Sequence, residues 1–255
     1  MTSARPSPSA NLLGLLRGQG SVLVLTGAGV SRESGIATFR DAGGVWEGVD
    51  PAAVATPQAF AANPSFVWRF YDARRAQAAS ALPNPAHRAI AALEATGRPF
   101  LLATQNVDGL HERAGSQQLV RLHGSLWRLR CTDCAAEHED LQPTLEPLPP
   151  RCAACGAMLR PAVVWFGEPL PSLEFNRAER AARAAELVLV IGTSSLVYPA
   201  ASLQTVALEA GAYVAEINPE TTSFSTAANE HLAGPAGVVL PALLLAAGIP
   251  MEQVA

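Results

Sequence analysis

Short apolar runs alternate with helical stretches along most of the chain. The apolar runs each end at a polar or glycine-bearing loop, as buried parallel strands do, and lie at 21–25, 101–104, 187–191 and 213–217. The helical stretches lie at 11–18, 86–96, 173–185 and 200–210. This alternation predicts an α/β fold with a doubly wound, parallel, Rossmann-like sheet. Ligands of such sheets bind outside the carboxyl ends of the strands.

Two segments interrupt the alternation. Residues 43–83 contain an aromatic, helix-like run, and residues 125–162 contain all four cysteines and a proline-rich stretch. We interpret them as two insertions that together form a smaller domain beside the large one, with a cleft between the domains as a common place for a ligand. The large domain then comprises 11–42, 84–124 and 163–255, preceded by a disordered Ser/Pro/Ala-rich tail at 1–10.

The composition is that of a globular protein, because 49% of the 255 residues are hydrophobic. No apolar run approaches the about 20 residues of a membrane span, and the first residues lack the pattern of a secretory signal. We therefore expect no membrane partner and a cytoplasmic location. All 18 basic residues are arginines, and the net charge of −4 argues against charge-driven nucleic-acid binding. Direct sequence-specific nucleic-acid binding is not expected.

The cysteines form two pairs of equal spacing. Cys131 and Cys134 make one Cys-x2-Cys pair, Cys152 and Cys155 make the other, and residues 135–151 separate them. This spacing is typical of a zinc ribbon with four thiolate ligands in a tetrahedron. Two disulfides are the alternative, which a reducing cytosol disfavours. Because all four cysteines serve as ligands, the sequence predicts one structural Zn²⁺ in the 125–162 insert.

A glycine-rich turn follows the first apolar run. Gly27-Ala28-Gly29 leads to Ser34-Gly35-Ile36, where a helix is expected to open. Glycines let backbone amides approach a pyrophosphate, and a helix N-terminus favours its charge. The spacing is not a regular Gly-x-Gly-x-x-Gly, and a tight turn without a ligand explains Gly-Ala-Gly equally well.

Polar residues also follow the second apolar run and its neighbour. Gln105, Asn106 and Asp108 follow the run 101–104, although Asn and Asp are ordinary turn residues. Among the five histidines, His123 lies between an apolar run and a glycine. Imidazole titrates near neutral pH, which suits a general base. His87 and His111, which precede or begin helical segments, are interpreted as structural.

Four motifs in a fixed order carry a family resemblance: 27–40, 104–111, 122–124 and the two cysteine pairs. Together they resemble the sirtuins, the NAD-consuming protein lysine deacylases, over about residues 21–241. Two positions depart from the usual pattern, Ala37 in place of proline and Asp41 where glycine is common. Both fall in the expected cofactor loop, so they bear on its closure more than on its chemistry.

The resemblance implies that NAD is a co-substrate. The acyl-lysine carbonyl oxygen would attack C1′ of the nicotinamide ribose, and His123 would deprotonate a ribose hydroxyl as the catalytic base. It also implies that Asn106 and Asp108 receive the nicotinamide amide and that Gln105 lies near the ribose. The residues expected to bind NAD are Gly27, Ala28, Gly29, Val30, Ser31, Glu33, Ser34, Gly35, Ile36, Thr38, Phe39, Arg40, Trp46, Gln105, Asn106, Val107, Asp108, Gly192, Thr193, Ser194, Asn218, Pro219, Glu220 and Ala236.

A tyrosine and an arginine share one face of the helix expected in the 43–83 insert. Tyr71 and Arg74 are spaced i, i+3, which suits a carboxylate ligand. The alternative is a core helix with Arg74 and Arg75 in water. A Tyr-x-x-Arg here resembles the sirtuin class that removes succinyl, malonyl and glutaryl groups. The run 163–168, with Val164 and Phe166, is expected to form a strand-like edge for the acyl-lysine peptide.

The sequence thus predicts an NAD-dependent protein-lysine deacylase. Its products would be free lysine, nicotinamide and an acyl-ADP-ribose. It would remove succinyl, malonyl and also acetyl groups, and its partners would be acyl-lysine proteins or peptides. A protein mono-ADP-ribosyltransferase on the same NAD site is one alternative. An NAD-sensing or zinc-ribbon binding module without turnover is the other. The sequence leaves the oligomeric state and the protein substrates open.

Overall fold

The computed structural model describes residues 7–38 and 49–251 of the chain. The strands within these residues are Val22–Thr26 (β1), Phe100–Thr104 (β2), Leu119–Arg121 (β3), Gly124–Cys131 (β4), Glu137–Glu139 (β5), Leu159–Val163 (β6), Leu187–Ile191 (β7), Tyr213–Asn218 (β8) and Glu230–Ala233 (β9). The α-helices are Ala10–Arg17 (α1), Pro51–Val54 (α2), Pro57–Ala62 (α3), Pro64–Ser80 (α4), Pro85–Glu94 (α5), Leu110–Arg113 (α6), Ser172–Ala184 (α7), Ser202–Glu209 (α8) and Ala236–Ala246 (α9). A 3-10 helix spans Ala28–Ser34.

Six strands form one parallel sheet in the order β3-β2-β1-β7-β8-β9. The strand order reverses at β1, which pairs with β2 on one side and with β7 on the other. In open α/β sheets, this switch point opens a crevice at the carboxyl ends of the strands. The Rossmann-like sheet expected from the alternating pattern is therefore confirmed.

The central strands β1 and β7 are apolar except for Thr26 at the end of β1, because helices cover both faces of the sheet. Val22 and Val24 of β1 pack in a cluster with α1, α5 and α9. Leu23 and Leu25 point the other way, into a cluster with α7 and α8. Every residue of β1 and β7 is buried as a result. The sheet thus holds the loops at its carboxyl edge on a rigid core.

A smaller module packs at that edge. It combines the antiparallel sheet β5-β4-β6 with helices α2, α3 and α4 around a separate hydrophobic cluster. The β4–β6 ladder begins at the pair Gly124 and Val163, so the two predicted domain boundaries at 124 and 163 lie inside this small sheet. Trp165 also packs in the small cluster. Trp165, two residues after β6, therefore packs with the small module rather than with the large sheet.

Arg75 ties the helical and cysteine-bearing parts of that module together. Its side chain is fully buried, contrary to the alternative that placed it in water. The guanidinium donates to the carbonyl oxygens of Leu126 (2.5 Å) and Gln142 (2.5 Å) and to the Asp140 carboxylate (2.6 Å). It also lies 5.2 Å from the ring centroid of Trp127. Periodicity could not reveal this because the partners come from distant segments.

Several elements differ from the sequence-based expectations. The tail predicted for 1–10 ends too late, because Ser9 caps α1 through the amide of Leu12 and its hydroxyl donates to Glu230 (2.7 Å). The strands β3 and β9 were not predicted, since they have three and four residues. Helix α9 was also missed, because its sequence is apolar on nearly every face and contains Pro241. No described helix has the combined length and apolar character needed to cross a membrane.

Candidate active site

The loop after β1 packs against the loop after β7, and glycines make this contact close. The Gly27 amide donates to the Ile191 carbonyl (3.1 Å), and the Gly29 amide donates to the Gly192 carbonyl (2.8 Å). A Cβ on Gly29 would lie 2.7 Å from that same Gly192 oxygen. Gly192 itself has a φ of +60°, and its Cβ would lie 2.4 Å from the Val30 amide nitrogen. The glycines are therefore required by the close packing of the two loops.

The 3-10 helix begins directly after Gly27, earlier than the helix opening expected at 34–36. Gly35 ends it instead, with a φ of 81° in the left-handed region. The polar residues of this helix face three different elements. Ser31 faces the loop after β2, Ser34 accepts a hydrogen bond from Asn84 (3.0 Å), and Glu33 accepts one from the Gly237 amide (2.6 Å). The Glu33 contact joins this helix to the first turn of α9.

A buried hydrogen-bond network surrounds the hydroxyl of Ser31. This hydroxyl donates to Asp108 (2.8 Å) and accepts from the Asn106 side-chain amide (3.1 Å). The backbone amide of Asn84 donates to Nδ1 of His87 (3.2 Å), so the proton of the neutral ring is on Nε2. That Nε2 lies 3.4 Å from the Ser31 hydroxyl and faces its remaining lone pair. Every hydrogen-bonding position of Ser31 is therefore engaged.

Burial sets the protonation of this network. It lowers the pKa of His87 from 6.5 to about 4, and the nearby Arg88 acts in the same direction. Burial also raises the pKa of Asp108, against the hydrogen bonds from the Leu110 amide and Ser31. His111, whose ring centroid lies 4.8 Å from that of His87, has its pKa lowered well below 6.5 by burial. Both rings are neutral at pH 7.

The Ser31 network opens into a small cavity beneath the loop after β1. Its polar wall is contributed by the loops after β1 and β2, and its other wall by α4 and β4. It is lined by Ala28, Ser31, Ile36, Ala37, Arg74, Ala78, Asn106, Val107, Asp108 and Leu126. The cavity therefore combines carboxyl, amide and hydroxyl groups with a cation from the helical insert.

His123 stands in the turn between β3 and β4, in a half-buried position. Its Nδ1 lies 3.1 Å from the carbonyl oxygen of Gln105. A carbonyl oxygen only accepts, so in the neutral ring Nδ1 carries the proton and Nε2 carries the lone pair. Burial lowers the pKa of His123, although the bond to Gln105 opposes this. The ring is therefore held as a neutral base at pH 7.

The remaining predicted nucleotide residues lie along the carboxyl ends of β7 and β8. Gln105 donates to the Thr193 hydroxyl (3.2 Å), and Asn218 donates to the Thr193 carbonyl (2.8 Å). Ser194, Pro219 and Glu220 are exposed on the same two loops. Ala236 is buried as the first residue of α9. The structure thus brings these side chains to one edge of the sheet.

The other residues predicted to bind NAD near the loop after β1 do not all line the cavity. Val30 is buried in the large core and does not line the cavity. The Thr38 hydroxyl is buried without a hydrogen-bond partner among residues 7–38 and 49–251. Phe39, Arg40, Trp46 and the departure at Asp41 lie outside the described residues.

Tyr71 and Arg74 differ in their surroundings. Tyr71 is buried, and its hydroxyl accepts a hydrogen bond from the indole Nε1 of Trp165 (2.9 Å). Arg74 is half-buried in the cavity wall, where it interacts electrostatically with Tyr71 and Asp108. Burial lowers the pKa of Arg74. The alternative that placed Arg74 fully in water therefore does not describe this site.

The run 163–168 is a strand edge only at its start. Strand β6 ends at Val163, and the Val164 amide then donates to the carbonyl of His123 (2.9 Å). The Phe166 amide donates to the carbonyl of Ala55 (2.9 Å), and the Phe166 side chain is 53% exposed. Sequence reasoning named these two residues and missed Trp165 between them. The only indication of Trp165 in the sequence was its large apolar side chain in the run 163–168, between two residues already assigned to the peptide.

The four cysteines converge at one end of the small sheet. Their sulfur atoms all lie within 4.8 Å of one another, with separations of 3.4 Å (Cys131 to Cys155), 3.6 Å (Cys134 to Cys155) and 3.8 Å (Cys134 to Cys152). Zinc–sulfur bonds of about 2.3 Å in a tetrahedron place sulfurs about 3.8 Å apart. All four thiols are free rather than paired in disulfides. The arrangement fits one structural Zn²⁺.

The fold and the site define a class: an α/β protein with a Rossmann-like sheet, a polar crevice at its switch point and a four-cysteine module beside it. A family model described as the Sir2 family matches residues 27–199. This protein belongs to the Sir2 family.

Similar proteins cover nearly the whole chain. NAD-dependent protein deacylase 1 of Pseudomonas aeruginosa is 51% identical over 238 residues, covering 90% of this chain and 95% of its own. NAD-dependent protein deacylase 2 of Pyrobaculum aerophilum is 49% identical over 234 residues, covering 92% and 94%. A solved Sir2 homologue mutant in complex with ADP-ribose has a TM-score of 0.92 at 44% identity, covering 94% of this chain and 97% of that one. A Sir2 complex with p53 peptide and NAD⁺ has a TM-score of 0.81 at 29% identity, covering 94% and 99%.

Proposed function

We propose that this protein is an NAD-dependent protein deacylase that removes acyl groups from lysine side chains and releases nicotinamide and O-acyl-ADP-ribose. One observation carries the proposal. A neutral His123, whose Nε2 carries the lone pair, is hydrogen-bonded to the loop that leads into the buried network of Ser31, Asn106 and Asp108. The relatives named as NAD-dependent protein deacylases, and the related Sir2 complexes with NAD and ADP-ribose, support it.

In this proposal NAD supplies an electrophilic ribose carbon, C1′, when nicotinamide leaves. The cavity residues Asn106 and Asp108 offer an amide and a carboxyl group, which match the donor and acceptor atoms of a carboxamide. Ser31 keeps both side chains oriented because it bonds to each of them. The loops after β1, β7 and β8, including Gly192, Thr193 and Asn218, take the remainder of the dinucleotide, as the switch point of such a sheet does.

His123 acts as the general base in this proposal. Its Nε2 accepts a proton from a ribose hydroxyl, while Nδ1 keeps its proton against the Gln105 carbonyl. Because burial lowers the pKa of His123, the ring is already neutral at pH 7 and needs no prior deprotonation. Gln105 also donates to Thr193, so the base is tied to the loop after β7.

We further propose that succinyl and malonyl groups are substrates besides acetyl. Tyr71 and Arg74 lie one helical turn apart on α4, and Arg74 lines the cavity that Asp108 also lines. Arg can hold a carboxylate with two parallel hydrogen bonds. The acyl-lysine peptide would lie along Val164 and Phe166, because the Val164 amide already joins this segment to His123.

The four-cysteine module has a structural role in this proposal. With all four thiolates bound, Zn²⁺ has no open position for a substrate. We propose the cytoplasm as the compartment, because free thiols persist in a reducing environment.

The test is to incubate the purified protein with NAD and matched acetyl-lysine and succinyl-lysine peptides and to follow both by mass spectrometry. We expect NAD-dependent loss of the acyl group with equimolar nicotinamide, and loss of this turnover in His123→Ala with the fold and zinc content retained. ADP-ribose attached to the target protein without need of an acyl group would favour a transferase. Absence of turnover in both peptides would favour a binding module.

A further inference from the structure

The hydroxyl of Tyr71 has one hydrogen-bond partner whose direction is unambiguous. The Trp165 indole Nε1 lies 2.9 Å from the Tyr71 oxygen. An indole N–H only donates, so the Tyr71 oxygen is the acceptor. Among the hydrogen bonds that join residues of 7–38 and 49–251, this is the one in which the Tyr71 hydroxyl takes part. The bond from Trp165 therefore uses an acceptor position of the Tyr71 oxygen and leaves the phenolic proton out of that contact.

The surroundings keep this proton on the oxygen. Tyr71 is 7% exposed, and its ring packs edge-on against Phe70 with centroids 5.1 Å apart. Burial raises the pKa of Tyr71, although the bond from Trp165 and the nearby Arg160 and Arg74 oppose this. The hydroxyl is thus a neutral donor over the whole physiological range. Arg74, one turn along α4, has only donors to offer.

Trp165 is itself held in place on three sides. The guanidinium of Arg160 lies 3.4 Å from its ring centroid, and the Phe60 ring packs on it at 5.3 Å. The backbone amide of Trp165 donates to Glu168 (2.8 Å), which also pairs with Arg160 at 2.5 and 3.0 Å. Such a clamp leaves the indole little rotational freedom. The position of its N–H relative to Tyr71 is therefore defined by the segment after β6.

We propose that Trp165 is a positioning residue for acyl selection. Its N–H occupies one lone pair of the Tyr71 oxygen and turns the Tyr71 proton toward the acyl chain. Tyr71 and Arg74 then present donors alone, which favours an acyl group that ends in a carboxylate, an acceptor-only group. The inference rests on the proposed acidic-acyl activity. It adds to that proposal a residue that touches neither NAD nor the acyl group.

Without the indole N–H, the Tyr71 hydroxyl could rotate and offer a lone pair to the ligand. A carboxylate would then lose a donor or meet a lone pair. An acetyl group has no carboxylate to be affected. The expected effect is about fivefold on kcat/KM for a succinyl peptide, the net value of one neutral hydrogen bond. This decrease in kcat/KM should arise mainly from a higher KM for the succinyl peptide.

The experiment is a double-mutant cycle of Trp165→Phe, Tyr71→Phe and the double variant, measured with succinyl-lysine and acetyl-lysine peptides of one sequence. Trp68→Phe is the matched control, because Trp68 is fully buried in the same module and donates its Nε1 to the Leu159 carbonyl (2.8 Å). If Trp165→Phe does not fold, 3-benzothienyl-alanine is placed at position 165 instead. It removes the N–H but keeps the shape of the ring, and the same cycle is then measured with it.

We expect Trp165→Phe to lower the succinyl-to-acetyl ratio of kcat/KM about fivefold in the wild-type background and to leave it unchanged in the Tyr71→Phe background. Trp68→Phe should lower thermal stability without changing the ratio. An equal effect of Trp165→Phe in both backgrounds, or an equal shift in Trp68→Phe, would overturn the role of Trp165 while leaving the deacylase assignment intact. A wild-type enzyme that does not remove succinyl would overturn the acidic-acyl proposal and this inference together.

Discussion

Replacement of Arg75 by methionine should destabilise the small module strongly. Methionine keeps the apolar stem that packs in the module but removes the guanidinium. The guanidinium is fully buried and donates to the Leu126 and Gln142 carbonyls and to Asp140. It also donates to the backbone carbonyl of Asp140 (3.0 Å), so its removal leaves four acceptor atoms without this donor, and water reaches only part of this site.

The magnitude follows from the burial of the two charges. Removal of one partner from a buried ion pair costs about 3–5 kcal/mol. The Asp140 side chain keeps 17% of its surface exposed, so we take the lower end, about 3 kcal/mol. For a chain of this size, each 1 kcal/mol lowers Tm by about 2–4 °C, which gives a decrease of about 6–12 °C. Asp140→Asn keeps the hydrogen-bond acceptor but removes the charge that faces the buried guanidinium, so it should also destabilise the protein, by less than Arg75→Met does.

The assay is thermal unfolding of the zinc-loaded protein, with Arg69→Met as the matched control. Arg69 lies on the same helix, α4, but is exposed to solvent. We expect the control to unfold within about 1–2 °C of the wild type, as surface substitutions do. If Arg75→Met unfolded at the same temperature as the control, the buried guanidinium would not be what holds α4 to β4.

Three further predictions concern pH, loop packing and the metal. Burial lowers the pKa of His87 from 6.5 to about 4, so the unfolded chain binds this proton first as the pH falls. The stability that neutral His87 contributes is fully present above pH 6.5 and is lost as the pH falls towards 4, by up to about 3 kcal/mol. His87→Gln should therefore reduce the decrease of Tm with falling pH in thermal melts. An unchanged slope would contradict this assignment. Gly29→Ala places a methyl 2.7 Å from the Gly192 carbonyl and should cost about 1–3 kcal/mol in urea unfolding, with weaker NAD binding by titration. Gly14→Ala, which meets nothing within 4 Å, is its control and should be neutral or stabilising. Removal of zinc by a chelator should unfold the small sheet before the large one, as followed by zinc release and circular dichroism, and a melt indifferent to the chelator would exclude a structural metal.

Local sequence patterns were sufficient for the parts of the protein whose cause is local. The mainly apolar runs predicted β1, β2, β7 and β8, because strands buried on both faces need apolar residues at most positions. The buried Glu216 of β8 is an exception, and it is hydrogen-bonded to Thr222 and Ser225. The spacing of the cysteine pairs predicted four clustered sulfurs, because each Cys-x2-Cys turn brings its own two thiols together. The motifs of the polar loops predicted that their residues would lie at one edge of the sheet, which the parallel order of the strands accounts for.

Contacts between distant segments could not be derived in this way. Trp165 reaches Tyr71 across 94 positions, Glu33 reaches the Gly237 amide across 204, and Arg75 bonds to Asp140 across 65. A hydrophobic period shows which face of an element is buried, but not which donor or acceptor it meets there. That pairing depends on how the inserted helices and the small sheet pack together. The sequence around a buried arginine or tryptophan is the same whichever group it bonds to. The sequence therefore named His123 as a candidate base and the four cysteines as metal ligands. The contact between Trp165 and Tyr71 emerges only when the packed elements bring the two side chains within hydrogen-bond distance.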